Sequence, residues 1–358
     1  MAAPYARDLA ELRQADEPAF GGKSANLGEL VGAGIPVPPG FALSTSAFGA
    51  FLAESGLDAR IAQTMASVSP GDLHAIEAAS HAISEAMRSA PIPDAVCEEV
   101  ARRYAELSEA TGIESPPVAV RSSAIGEDSQ EATFAGQQES YLWISGAEAV
   151  CSAVRDCWVS LYSPPAISYR ARLGPGETAP AMGVTVQQMI DAEVSGVMFT
   201  CNPVSGDPSM VGINASWGLG VAVVGGEVTP DDYLVSKVTR EVVREQVNRK
   251  EVQYVPEAQG RGAGRVEVPE ERRSVSCLER RALAALVELA RRIERCFGVH
   301  QDIEWAMARG RALPESLFVV QSRPVTGVRE RENVPAPTSA LALVMSKFGA
   351  ARTASEND

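Results

Sequence analysis

No apolar run in the sequence approaches the roughly 18 residues that a membrane span requires. The opening MAAPYARDLAEL is interrupted by charge within seven residues, so neither a membrane anchor nor an export signal is expected. Basic residues are in the minority, 32 Lys and Arg against 46 Asp and Glu, for a formal net charge of -14. That balance argues against nucleic acid as a partner, because such binding draws on clustered cations that neutralise phosphates. The six cysteines (97, 151, 157, 201, 277 and 296) show no CxxC spacing, and a chain this long does not need disulfide staples; reduced thiols in a cytoplasm are the simplest expectation. Internal repeats, long low-complexity segments and a GxxxxGK[ST] phosphate loop are all missing. Histidine is scarce, with only three in 358 residues.

What remains is an ordinary globular composition, 45% hydrophobic and 22% charged, enough for one large domain or two coupled lobes. An amphipathic stretch after Gly22 ends at VGAGIPVPPGF, which predicts a short helix followed by an extended segment. From Phe51 to Thr111 apolar positions recur every three or four residues, the signature of a helical layer. Alternation then takes over. VAVRSSA, ESYLWIS, MGVTVQQMI, SGVMFTCNP, MVGINASWG, DYLVSK, EVQYV, QDIEWAMA and LFVVQSRPV read as strands, interrupted by helices near 147–169 and 276–297. The class is therefore α+β. After Thr326 the sequence turns to VRERENVPAPTSA, the composition of a linker or tail.

Three stretches could carry chemistry. In GGKSANLGEL, Gly21 to Leu30, two glycines allow backbone N–H groups close to an anion and Lys23 precedes a helix N-terminus, although a Gly-Gly-Lys turn alone is often only a turn. In VAVRSSAIGEDSQEATFAGQQES, Val118 to Ser140, a strand delivers Arg121 and a polar loop delivers Thr133 and Gly136. Two readings stand for Arg121: a bidentate phosphate contact, or a structural ion pair with Glu127 or Asp128. The third stretch is a hairpin of QDIEWAMA and LFVVQSRPV. Alternation puts Asp302 and Glu304 on one face, opposite Ile303 and Trp305, and puts Val319, Gln321 and Arg323 together on the partner strand. If the polar faces coincide, two carboxylates, an amide and a guanidinium converge in a patch able to hold Mg²⁺ against phosphates. A solvated outer sheet face is the alternative.

Together these motifs, with PVPPGF, SGVMFT, ASWGLG and VTPDDYLV in the same order over about residues 8 to 327, resemble the nucleotide-binding domain of the phosphoenolpyruvate synthase and pyruvate phosphate dikinase family. Rifampicin phosphotransferase and the smaller subunit of phenylphosphate synthase are similar. The resemblance implies an ATP-grasp-like fold that clasps ATP between an N-terminal lobe, 1–183, and a C-terminal lobe, 184–328, with 329–358 as a flexible tail. It implies that Lys23 and Arg121 hold phosphates under a loop containing Thr133, Ala135, Gly136 and Gln137. Asp302, Glu304 and Gln321 would organise Mg²⁺, with Arg323 on the phosphates. Gln187, Gln188, Met189 and Ile190 would offer backbone groups to adenine, and Glu193 would reach toward the ribose. Arg121 and Arg323 are the residues implied in the catalytic step.

The family passes the β-phosphoryl group of ATP, leaving AMP and phosphate, to a histidine in a Gly-rich loop of a swivelling domain. His81 sits in helical periodicity with no glycine nearby, His74 lies one helical stretch earlier, and neither fits that role; His300 replaces a proline common before the Gln-Asp-Ile-Glu-Trp run. The resemblance therefore implies an ATP- and Mg²⁺-dependent phosphotransferase component whose phosphohistidine partner is another subunit, as in phenylphosphate synthase. Two alternatives stand beside it. One is a nucleotide-binding fragment of a full-length phosphoenolpyruvate synthase or rifampicin phosphotransferase. The other is a non-catalytic nucleotide-binding regulatory module.

Overall fold

The computed structural model describes residues 5–125, 140–173, 181–257 and 262–325. Two antiparallel sheets organise them. The first has the order β1-β2-β5-β3-β4, from Ala6–Asp8 (β1), Gly40–Leu43 (β2), Val118–Ala124 (β3), Ser140–Ile144 (β4) and Met182–Gln188 (β5). The second, β13-β12-β6-β7-β8-β9, contains Ala192–Phe199 (β6), Met210–Trp217 (β7), Asp231–Ser236 (β8), Val242–Gln246 (β9), Gln301–Ala308 (β12) and Leu317–Pro324 (β13). A small ribbon pairs Val252–Pro256 (β10) with Ala263–Glu267 (β11).

The helices are Glu17–Phe20 (α1), Gly22–Gly32 (α2), Thr45–Ser55 (α3), Leu57–Ala66 (α4), Leu73–Ser89 (α5), Asp94–Thr111 (α6), Ala147–Ser160 (α7), Pro164–Leu173 (α8), Val221–Val224 (α9), Glu270–Arg273 (α10) and Arg280–Phe297 (α11). Helices α3 to α7 cover the first sheet and bury a core in which Phe48 and Phe51 pack on Trp158. On the second sheet lies α11. Its apolar stripe of Leu283, Leu286, Val287, Ala290 and Ile293 is buried, and Gly298, at φ +72°, ends it in the left-handed conformation. Among the described residues no helix is long and apolar enough to cross a membrane.

The fold is α+β and ATP-grasp-like, as the sequence predicts, and every alternating stretch singled out above forms a strand. The change of sheet falls at residues 189–191, so the 183/184 division drawn from sequence passes through β5, which belongs to the first sheet. The residues beyond 328 lie outside those described.

Helix α2 belongs to both halves. Its Leu27 packs with Leu9, Leu12 and Phe20. Leu30 enters the core under the second sheet, and Asn26 donates to Ser322 O on β13 at 3.4 Å.

Candidate active site

The GGKS and RSS stretches meet. Gly21 runs against β3 at φ +78°, where a Cβ would lie 2.0 Å from Ser123 O, so the close approach and the backbone conformation both demand glycine. Ser24 fixes the start of α2 on the sheet, its N–H donating to Ser123 Oγ at 3.2 Å and its hydroxyl bonding Thr185 Oγ1 at 2.7 Å. Lys23 is buried, and its Nζ donates to Ser122 O at 3.0 Å. The ammonium therefore reaches the β3 end beside Arg121 and does not extend into open solvent.

Arg121 is half-buried and donates through Nη1 to Val320 O on β13 at 3.2 Å, bridging the two sheets. Its partner positions are Thr185 on β5 and Ser140 on β4. Glu127 and Asp128, the acidic alternatives for it, lie outside the described residues, as do Thr133, Ala135, Gly136 and Gln137.

The hairpin brings its four polar groups onto one face. Asp302 stands opposite Arg323 and Glu304 opposite Gln321. The Arg323 Nε and Nη2 atoms both lie 2.9 Å from Asp302 Oδ2. Burial, partly offset by that guanidinium and reinforced by Glu304, pushes the Asp302 carboxyl above the ordinary aspartate range. Val319 does not share this face. A bulge just before Gln321 leaves Val320 between the pairs, so Val319 faces Trp305 and is fully buried with it in the second core. One extra residue inverts the alternation that the sequence reading assumed.

Above this hairpin, at the junction of the sheets, is a cavity of about 380 Å³, a size suited to a small molecule. Arg121, Gln187, Gln188, Met189, Ile190, Glu304 and Gln321 line it, as do apolar groups from Leu142, Leu219, Val221, Val224 and Ala306. Its polar members are neighbours, since Arg121 bonds the backbone next to Gln321 and Glu304 pairs with Gln321. Lys23, Asp302 and Arg323 do not line it; Lys23 bonds Ser122, next in sequence to Arg121, and Asp302 and Arg323 pair two residues along the hairpin from Glu304 and Gln321. In the 187–190 segment the Gln188 and Met189 amides already donate to Pro39 O at 2.9 Å and Pro117 O at 2.8 Å. Gln187 is also paired in the sheet, with Gly40 on β2 and Ala119 on β3.

Glu193 is not in the wall. It points to Arg272 at 3.4 Å, and Arg272 stacks 3.9 Å over the Trp217 ring. His74 and His81 are exposed on α5, whereas His300 Nδ1 lies 2.7 Å from Glu294 Oε1. None of the three lines the cavity.

The apolar wall from Leu219 to Gly225 was the part that the sequence reading gave no role. Its signal was ASWGLG. Gly218 has φ +75°, and a Cβ there would meet Tyr254 O at 2.4 Å, while Leu219 N donates to that same carbonyl at 2.9 Å. These contacts clamp the wall to β10.

The sequence pattern of the family described as pyruvate phosphate dikinase, AMP/ATP-binding domain, matches residues 17–341. The chain belongs to that family. Relatives include the probable phosphoenolpyruvate synthase of Staphylothermus marinus, 38% identical over 88% of this chain and 40% of its own length. The probable phosphoenolpyruvate synthase of Methanothermobacter thermautotrophicus is 39% identical over 91% of this chain and 46% of its own length. For the phosphoenolpyruvate synthase of Pyrococcus furiosus the figures are 37%, 92% and 45%. The chain thus spans under half the length of these curated relatives. The family's description names AMP and ATP binding, and among the described residues the cavity at the sheet junction combines an apolar wall with Arg121, Glu304 and Gln321.

Proposed function

We propose that this chain is the ATP-binding component of a dikinase-type phosphotransferase, which presents MgATP so that its β-phosphoryl group passes to a histidine on another domain or subunit, leaving AMP and phosphate. The observation that carries the reading is the convergence of Arg121, Glu304 and Gln321 on one cavity whose remaining wall is apolar. The base would lie against Leu142, Leu219, Val221 and Ala306 beside the 187–190 segment. The phosphates would lie toward Arg121, with Lys23 and Arg323 adding positive charge from behind; the Thr133, Ala135, Gly136 and Gln137 stretch lies outside the described residues.

The donor chemistry fits Mg²⁺. Among the described residues no group of three or more His, Cys, Asp or Glu converges, so a protein-only cage is not formed. Two carboxylates, Asp302 and Glu304, and the Gln321 amide oxygen are instead the partial oxygen set that Mg²⁺ takes when phosphates complete its shell. Bound there, the ion would offset phosphate charge. The chain's own contribution is positioning and electrostatics: Arg121 and Arg323 neutralise phosphate oxygens, and the water-poor apolar wall strengthens those contacts. Asp302 must release Arg323 in part to do so, which makes their ion pair the resting arrangement of the site.

The acceptor histidine comes from outside the described residues. This reading is supported by the three histidines' positions, two exposed on α5 and one held by Glu294. A cytoplasmic location goes with the reading and with six free cysteines.

Calorimetric titration of ATP with and without Mg²⁺ tests it. Wild type should bind MgATP more tightly than ATP, and Glu304→Ala should lose that metal-dependent increment, at least about tenfold in Kd, or ~1.4 kcal/mol. Equal MgATP affinity for Glu304→Ala and wild type would remove Glu304 from the site and with it this account of the hairpin.

A further inference from the structure

The six cysteines look unrelated in sequence, and all are free thiols in the structure. Two nevertheless meet. Cys97 on α6 and Cys151 on α7, separated by 54 positions, bring their sulfurs to 2.8 Å, within about 1 Å of the ~2.05 Å of an S–S bond. We infer that Cys97 and Cys151 are a dithiol site that a small-molecule disulfide, such as oxidised glutathione, converts reversibly to a Cys97–Cys151 disulfide.

The two sulfurs are suited to different steps. Cys97 is partly exposed and meets the oxidant first, whereas Cys151 is 7% exposed and faces Cys97. Burial keeps the Cys151 thiol well above the ordinary range, so it stays protonated until it reacts. As thiolate, Cys97 attacks one sulfur of the oxidant; an S–S bond breaks, one forms, and one glutathione thiolate leaves and takes up a proton. The Cys151 sulfur then displaces the second glutathione, which receives the Cys151 proton. Protein dithiol and one oxidised glutathione become protein disulfide and two reduced glutathiones.

The new bond would clamp α6 to α7, which already pack together, and close a covalent ring containing β3, β4 and Arg121. Because α7 lies directly on β3, the clamp stiffens the layer behind Arg121 without touching the cavity.

The test uses the full reduced chain incubated with oxidised glutathione, quenched in acid, denatured and alkylated. Wild type should retain four of its six alkylatable thiols, become ~2 Da lighter, and yield one linked peptide pair containing Cys97 and Cys151. Reductant should restore all six thiols. Cys97→Ala and Cys151→Ala should each form no internal link, and Cys151→Ala should instead carry a reducible glutathione on Cys97. The oxidised wild type should melt higher than the reduced protein by about 4 °C or more, a comparison that needs no variant. Six intact thiols after oxidation, a link between any other pair, or an unchanged melting temperature in linked protein would each overturn the inference.

Discussion

At the scale of single residues, Lys23 and Arg121 carry the same charge in different settings. Lys23 is buried and satisfies the Ser122 carbonyl, whereas Arg121 is half-buried, bonds Val320 O and lines the cavity. Removing Arg121 should weaken MgATP binding by about 1.5–3 kcal/mol, the size of a charge-assisted hydrogen bond, with a small change in melting temperature. Removing Lys23 should cost affinity and also stability, by about 1–3 kcal/mol, because a buried, charge-assisted hydrogen bond to Ser122 O is lost. Calorimetry and thermal melts on Arg121→Ala and Lys23→Ala measure both quantities. Equal destabilisation by the two variants would show that Arg121 also acts chiefly as a structural bridge.

Asp302 adds a pH dependence. Its carboxyl titrates above the ordinary range in the folded chain, mainly through burial, so between the unfolded and folded values the native state holds more protons than the unfolded state. Stability from this group is therefore present in acid and falls as pH rises through that window. In metal-free protein, Asp302→Asn should flatten this part of the curve, seen as a smaller fall in melting temperature with rising pH than in wild type. A steeper fall in the variant would mean that the Arg323 pair outweighs burial.

At the scale of elements, strand alternation made the hairpin patch legible before any geometry. Asp302 and Glu304 share a face, and antiparallel pairing sets Arg323 and Gln321 opposite them. It failed only at Val319, because a bulge at Val320 changes the parity and no residue type in LFVVQSRPV announces it. The strands β9 and β11 were missed for a different reason: VVREQ and AGRVE are largely exposed edge segments without a buried face to impose a period of two. The 187–190 segment was legible as a location but not as a set of donors, since two of its amides bond Pro39 and Pro117, contacts between distant parts of the chain.

Glycines in these elements divide by what surrounds them. On β6, a Cβ at Gly196 would lie 1.8 Å from Asn214 O and 3.0 Å from Trp305, so β6 and β7 would have to part beside the cavity. Gly196→Ala should destabilise by about 2–3 kcal/mol and weaken nucleotide binding. Gly49 lies within α3 with nothing near its missing Cβ, and Gly49→Ala should stabilise by about 0.5–1 kcal/mol without changing binding. Urea unfolding of both variants checks the pair. A stable Gly196→Ala would mean that the two strands move apart at little cost.

At the scale of the molecule, two sheets are joined by a three-residue connection at 189–191 and by α2, whose side chains enter both halves. The cavity lies where they meet, and the GGKS and RSS stretches, almost a hundred residues apart, touch through Lys23, Ser24, Ser122 and Ser123. Three histidines offer no phosphoryl acceptor at that place: none lines the cavity, and His300 is engaged with Glu294. The chain should therefore bind MgATP while forming no acid-labile phosphoprotein by itself. In-line transfer needs an imidazole within about 3–3.5 Å of the phosphorus, which on the proposed reading another domain or subunit brings into the cleft. Incubation with β-labelled and, separately, γ-labelled ATP, with and without a polypeptide carrying the histidine domain of a phosphoenolpyruvate synthase, decides the matter. The expected result is β-label on the added polypeptide, release of AMP, and loss of both with Arg323→Ala in this chain while its fold is retained. Stable β-label on this chain alone, abolished by His74→Ala or His81→Ala, would instead place the acceptor on α5 and require that helix to reach the cavity.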